Sequence, residues 1–135
     1  MPLQFIKLYG ITLVVFFLID ITWLAVVAPK LYQSQIGHLM SSEVNIAAAA
    51  IFYLLFITGM VYFAIQPSVN ANSWVQALLV GGFFGLITYA TYDLTNMATL
   101  KDWPLLITVI DISWGTTLSA LTTLAVFFVA RLLNI

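Results

Sequence analysis

Few residues in this sequence can do chemistry, and most of those sit where they are costly. Of the five Asp and Glu residues in the 135-residue chain, Glu43 and Asp102 fall in polar connecting stretches, while Asp20, Asp93 and Asp111 lie inside long apolar runs. An Asp at the centre of a membrane helix costs roughly 2.5–3.5 kcal/mol to insert, so three of them are not kept against lipid for packing alone. Two of the three share a setting: Ile19-Asp20-Ile21-Thr22-Trp23 and Ile110-Asp111-Ile112-Ser113-Trp114. This D-x-[ST]-W echo puts an Asp and a Trp at i and i+3, on one helical face, in two separate segments. Five residues are too few to establish a duplication. Carboxyl groups gathered in a dry site repel one another, and a shared proton, a bound cation or a polar ligand head relieves the repulsion. The chemistry within reach is general acid–base catalysis or the handling of a proton or cation. The plainer alternative is that each Asp bonds Tyr, Trp, Thr or Asn on a neighbouring helix and locks the fold, such bonds averaging about 0.6 kcal/mol.

The elements that position these acids follow from composition. Hydrophobic residues make up 63% of the chain and charged ones 7%, against about 45–50% and roughly 25% in a soluble domain. Four Lys/Arg and five Asp/Glu cannot cover a surface that meets water, so most of the outside faces lipid. Four stretches reach the length of about 20 apolar residues that a membrane helix needs: 5–28, 45–65, 74–95 and 104–130. Pro29, Ser41-Ser42-Glu43, the Pro67–Ser73 run and Asp102-Trp103-Pro104 punctuate them. The expected fold is all-α: one polytopic domain spanning residues 1–135, an antiparallel four-helix transmembrane bundle. Trp74 and Trp103 fall at the expected aromatic belts. The length of the first stretch, with Asp20 inside it, argues against a cleaved signal peptide. Lys7 and Arg131 on the termini side balance Lys30 and Lys101 on the other, and the amino-terminal amine tips the count toward cytoplasmic termini.

The same composition excludes several functions. With no cysteine there is no disulfide, thiolate nucleophile or Cys-ligated metal site, and a lone His38 makes no His-rich one. Three carboxylates suit a hard cation chemically, yet no dedicated metal motif accompanies them. A net charge of −1 leaves no basic face for nucleic acid, and nothing in the chain names a cofactor.

Depth arithmetic ties the acids together. Asp20 lies eight residues before Ala28 and Asp111 seven after Pro104. At about 1.5 Å per residue both fall roughly 10–12 Å inside the side that carries the first and third connections, where the third span also brings Asp93. Polar residues cluster in this layer: Tyr89, Asp93, Asn96 and Met97 at helical spacing with Tyr92 and Thr95 beside them, and Thr108, Asp111, Gly115, Ser119 and Thr122 along the fourth span. The termini half carries almost no ionisable group apart from Lys7 and Arg131. An asymmetric molecule is expected: Asp20, Asp93 and Asp111 as the reactive groups of a one-sided pocket, with Trp23, Tyr89, Tyr92, Thr95, Asn96 and Trp114 lining it. Gly81-x-x-x-Gly85 permits close helix approach, either within the monomer or between copies.

The run Thr91-Tyr92-Asp93-Leu94-Thr95-Asn96-Met97-Ala98-Thr99-Leu100, followed by Trp103-Pro104, Asp111 and Trp114-Gly115, resembles a bacterial family of small four-span integral membrane proteins known only as a domain of unknown function. The likeness extends to Asp20, Trp23 and Leu24, to Tyr32, Gln35 and Gly37, and to Phe52-Tyr53, and so covers nearly the whole chain. It implies a multi-pass protein of the bacterial inner membrane, adds Tyr53 to the ligand-lining set, and brings no reaction with it. Tyr92-Asp93 is also similar to half of the presenilin-type protease signature, but the G-x-G-D half is missing. Three functions remain in view. The first is binding or conversion of a small lipophilic molecule, such as a lipid, fatty chain or isoprenoid, entering from the bilayer. The others are a proton- or cation-coupled carrier acting as an oligomer and an accessory subunit paired with another membrane protein.

Overall fold

The computed structural model describes residues 2–135, and no strand occurs among them. Four continuous helical stretches, Pro2–Leu39, Ile46–Asn70, Trp74–Thr99 and Leu105–Leu132, are each long and apolar enough to cross a membrane. Hydrocarbon dictates that choice, because every backbone N–H and C=O must be satisfied within its own segment. The chain is an all-α polytopic membrane protein. Leu18, Val26, Leu55, Phe63 and Phe83 point outward, where lipid covers them.

The first stretch comprises α1 (Pro2–Thr22), a π turn at Trp23–Val27, α2 (Ala28–Ile36) and a 3-10 turn at Gly37–Leu39. The second comprises α3 (Ile46–Met60), a π turn at Val61–Ile65 and α4 (Gln66–Asn70); α5 (Trp74–Thr99) and α6 (Leu105–Leu132) follow. Pro29 and Pro67 were expected to end their spans, and they do not. Each proline sits at the second position of a helix that continues out of a five-residue π turn. A proline ring collides with the carbonyl four residues back, which normally breaks a helix. Here the ladder widens instead: the Ala28 N–H bonds Trp23 O and the Gln66 N–H bonds Val61 O, both five residues back. The third and fourth helices likewise extend to Thr99 and Leu132 rather than ending near 95 and 130.

The connections are short, so successive spans run antiparallel. The Asn45 side chain caps α3 by accepting from Ala48 N at 3.0 Å, and Ser73 caps α5 by accepting from Gln76 N at 3.1 Å. Asn72 (φ 49°) and Asp102 (φ 58°) take the left-handed conformation where the chain reverses, a geometry that Asn and Asp tolerate better than other side chains.

A tight hairpin of α5 and α6 forms the spine, and α1 packs along α6. Residues at four-residue steps make the seam: Gly81, Gly85, Tyr89 and Asp93 on α5 meet Thr123, Ser119, Gly115 and Asp111 on α6. The glycines are steric requirements. A Cβ on Gly81 would sit 2.5 Å from Thr123 Oγ1, and one on Gly85 would strike the Gly115 carbonyl. The Gly81-x-x-x-Gly85 pair therefore serves packing inside the monomer. Phe16, Ile57, Met60, Val61, Leu118 and Val126 fill the core around the spine. The π turn at Val61–Ile65 packs against α5, whereas the α3 backbone stands off from it. Rings bridge that gap, Phe56 to Phe84 at 5.3 Å and Phe56 to Tyr89 at 6.1 Å.

Candidate functional site

The seam ends in a pair of acids. Asp93 on α5 is wholly buried, Asp111 on α6 nearly so, and the two carboxyl groups are neighbours at the end of the seam. Ionised carboxyls only accept, so that contact becomes a bond when a proton sits between them. Among the described residues neither Asp93 oxygen has a hydrogen-bond partner. Asp111 accepts from the Tyr32 hydroxyl, which α2 carries over the end of the bundle because the helix continues past Pro29. Tyr32, nine residues after Trp23 in the first stretch, thus becomes part of the site.

Asp20 is held separately. It accepts from Tyr53 Oη of α3 at 3.2 Å and from Trp114 Nε1 of α6 at 3.3 Å. The Trp23 and Trp114 rings stack at 4.5 Å between centroids and 7° between planes. The two D-x-[ST]-W segments therefore face each other across the bundle, with the Trp of the second donating to the Asp of the first. Asp20 lies within electrostatic range of Asp111, and Tyr89 within range of all three acids. The three do not close into a metal-ligating cluster, and no such group occurs among the described residues.

Tyr89 owes its place to Gly115, since a Cβ there would land in the Tyr89 ring. The ring separates two cavities. One, of about 240 Å³, is lined by Asp20, Trp23, Leu24, Tyr32, Tyr53, Tyr89, Tyr92, Asp111 and Trp114. The other, of about 320 Å³, shares Tyr89, Tyr92 and Asp111 and is otherwise walled by Phe52, Phe56 and Thr88. Those last three residues also line an open groove between α3 and α5, completed by Ala48, Ile51, Leu55 and Phe84. An apolar route thus leads from the lipid-facing surface to an acid.

With that geometry in place, comparison with known proteins adds one finding: residues 5–128 match the family described as "Predicted membrane protein (DUF2177)". The chain belongs to this family. The family match reaches from α1 into the last turns of α6 and takes in all three buried acids. Neither a search of curated proteins nor one of solved structures returns a match.

In this family member Trp23, Tyr53, Tyr89, Tyr92 and Trp114 line the acidic cavity. Thr95 does not: it is exposed, two residues beyond Asp93 and so on the far side of α5. Asn96 is half-buried beside Tyr92 and outside the cavities described. Sequence reasoning left Tyr32, Phe52, Phe56 and Thr88 out of the site. Tyr32 and Phe52 stand among the residues that carry the family likeness, and Thr88 falls one place before Tyr89. Phe56 carried no signal beyond its place one helical turn after Phe52.

Proposed function

We propose that this protein binds a small amphiphile from the bilayer, its tail in the groove between α3 and α5 and its polar head at the Asp93–Asp111 pair. The observation that carries this reading is the continuity of apolar groove and acidic cavity through Phe52, Phe56, Thr88, Tyr89 and Asp111. A structural acid cluster has no need of a side entrance, whereas a ligand that lives in lipid does. The entrance is ajar because α3 meets α5 mainly through its π turn. Phe52 and Tyr92, each about half exposed, stand at its mouth.

The acids also have the means for chemistry on such a head. Asp111 lines both cavities and has Asp93 behind it, a pair able to donate and accept a proton if the ligand is converted rather than only held. The termini half supports a one-sided site over a coupled carrier, because the seam there is closed by Gly81 against Thr123 and by the apolar core.

The test is extraction and mass spectrometry of what co-purifies with the full chain in mild detergent. A lipophile enriched above bulk membrane lipid is expected with the native chain. It should be lost from Thr88→Phe, which fills the passage without touching an acid. Bulk lipid alone in both preparations would overturn the proposal. A stoichiometric protein partner without an enriched lipophile would favour the accessory-subunit reading instead.

A further inference from the structure

We infer that the head recognised at this site is a cation, an ammonium or amidinium group seated on the Asp111 face of the acid pair; the inference rests on the amphiphile reading above.

The argument is one of unmet hydrogen-bonding capacity. The donors that bond the acids are Tyr32, on Asp111, and Tyr53 and the Trp114 indole, on Asp20. Both oxygens of the wholly buried Asp93 remain without a partner, and Asp111, its neighbour, opens onto both cavities. What the pair lacks is therefore a donor, and a head made only of acceptors leaves it lacking. A phosphate or carboxylate head would add a like charge to a site that already holds three acids.

Charge points the same way. Asp111 stands near both Asp20 and Asp93, Tyr53 and the Trp114 indole bond Asp20, and the two Lys of this half, Lys30 and Lys101, are exposed. Arg131 is spent at the opposite end, 5.8 Å above the Phe127 ring. Even with one proton shared, the pair keeps a negative charge in a poorly solvated place, and a monocation neutralises it. The walls suit that occupant, since the Trp and Tyr faces that line the cavity attract cations. A metal ion is the poorer fit, because the acids do not converge to a ligating group. An organic ammonium needs no such convergence: one or two charge-assisted hydrogen bonds and an aromatic wall hold it.

The experiment measures saturable binding of radiolabelled probes to the full chain in nanodiscs, with empty nanodiscs as the blank. The probes are dodecylamine, dodecanol, dodecanoate and butylamine. Dodecylamine is expected to bind about tenfold tighter than dodecanol, and dodecanoate weaker than both. Butylamine should bind far more weakly than dodecylamine, since it leaves the groove empty. In Asp93→Asn and Asp111→Asn the amine's advantage over dodecanol should shrink to about threefold or less. Should a variant fail to fold, the ranking on the native chain still decides. Dodecanol equal to dodecylamine, or dodecanoate the tightest, overturns the cationic head and leaves the amphiphile reading standing. Butylamine as tight as dodecylamine overturns the amphiphile reading and leaves the cation site. No saturable binding of any probe overturns both.

Discussion

The two halves of this bundle are built from one seam and do opposite things with it. On the termini side the four-residue steps along α5 are glycines, and α6 answers with Ser119 and Thr123, so the backbones close on each other and exclude everything else. On the other side the same steps bring Tyr89 and Asp93, answered by Gly115 and Asp111. The seam there fills with a ring and two carboxyls, and cavities open beside it. Small residues let helices touch in a membrane, where lipid gives no hydrophobic drive for association. The first half thus supplies the rigidity that the second, holding buried acids, cannot supply for itself.

Substituting the seam glycines separates the halves most sharply. Gly85→Ala drives a methyl into the Gly115 carbonyl and the Ser119 side chain, and Gly115→Ala drives one into the Tyr89 ring. Each is expected to lower stability by roughly 1–3 kcal/mol, the usual cost of overpacking, read as earlier thermal unfolding in detergent. Only Gly115→Ala should also abolish retention of the co-purifying lipophile at a temperature where the fold survives, because only its methyl enters the Tyr89 ring that walls both cavities. Gly82→Ala is the control: its methyl would meet Ala120 Cβ at 3.6 Å, an ordinary contact, and it should unfold with the native chain. Equal losses of ligand in Gly85→Ala and Gly115→Ala would mean that the halves are not separable.

A smaller effect tests how the site's upper edge is held. Tyr32→Phe removes the hydroxyl that reaches Asp111 from α2. Hydrogen bonds to charged groups contribute about 1.5–3 kcal/mol in water-soluble proteins and those between membrane helices average about 0.6, so a loss of about 1 kcal/mol is expected. The sharper readout is local. Amide exchange and protease cutting should rise across residues 28–45 and stay unchanged around the connection at residues 71–73. Uniform loosening of both sides would show that α2 is part of the common core rather than a cover docked on one end.

These contrasts bear on what sequence alone discloses. Three acids at one depth in three spans, and an Asp and a Trp sharing a helical face in two of them, were legible because insertion cost and helical period act on single residues; the stacking of the two Trp rings was not. The continuation through Pro29 and Pro67 was not. A proline's local preference is to end a helix, and only the lipid's demand for satisfied carbonyls, met by a π turn, reverses it. Tyr32 was lost from the site with it: the stretch after Pro29 reads as an interfacial segment or short amphipathic helix over the bundle, which α2 is, but the pattern does not say which of its side chains reaches an acid. The groove was hidden for another reason: it exists because the α3 backbone stands away from α5, a relation between elements with no trace in either one's pattern. Thr95 was a failure of period, since two residues along a helix turn about 200° away from Asp93.

The smallest predicted effect compares the two side-chain caps, which do the same local work in opposite halves. Asn45 and Ser73 each accept one hydrogen bond from the first turn of a helix, at 3.0 and 3.1 Å. Replacing either with Ala should cost about 1 kcal/mol of stability. Their consequences for the site should differ, because the turn that Asn45 begins carries Ala48, and the next carries Ile51 and Phe52, all on the groove between α3 and α5. The turn begun by Ser73 packs at the closed end, where Ala77 is wholly buried. Fraying α3 therefore loosens the wall of the entrance, while fraying α5 loosens only packing. In Asn45→Ala the rate at which a bound amphiphile leaves nanodisc-embedded protein should rise about twofold to fivefold, the release expected if the wall of the groove sets the exit barrier. In Ser73→Ala it should stay at the native value. Equal release rates in the two variants would move the exit away from the groove and toward the α2 end of the bundle.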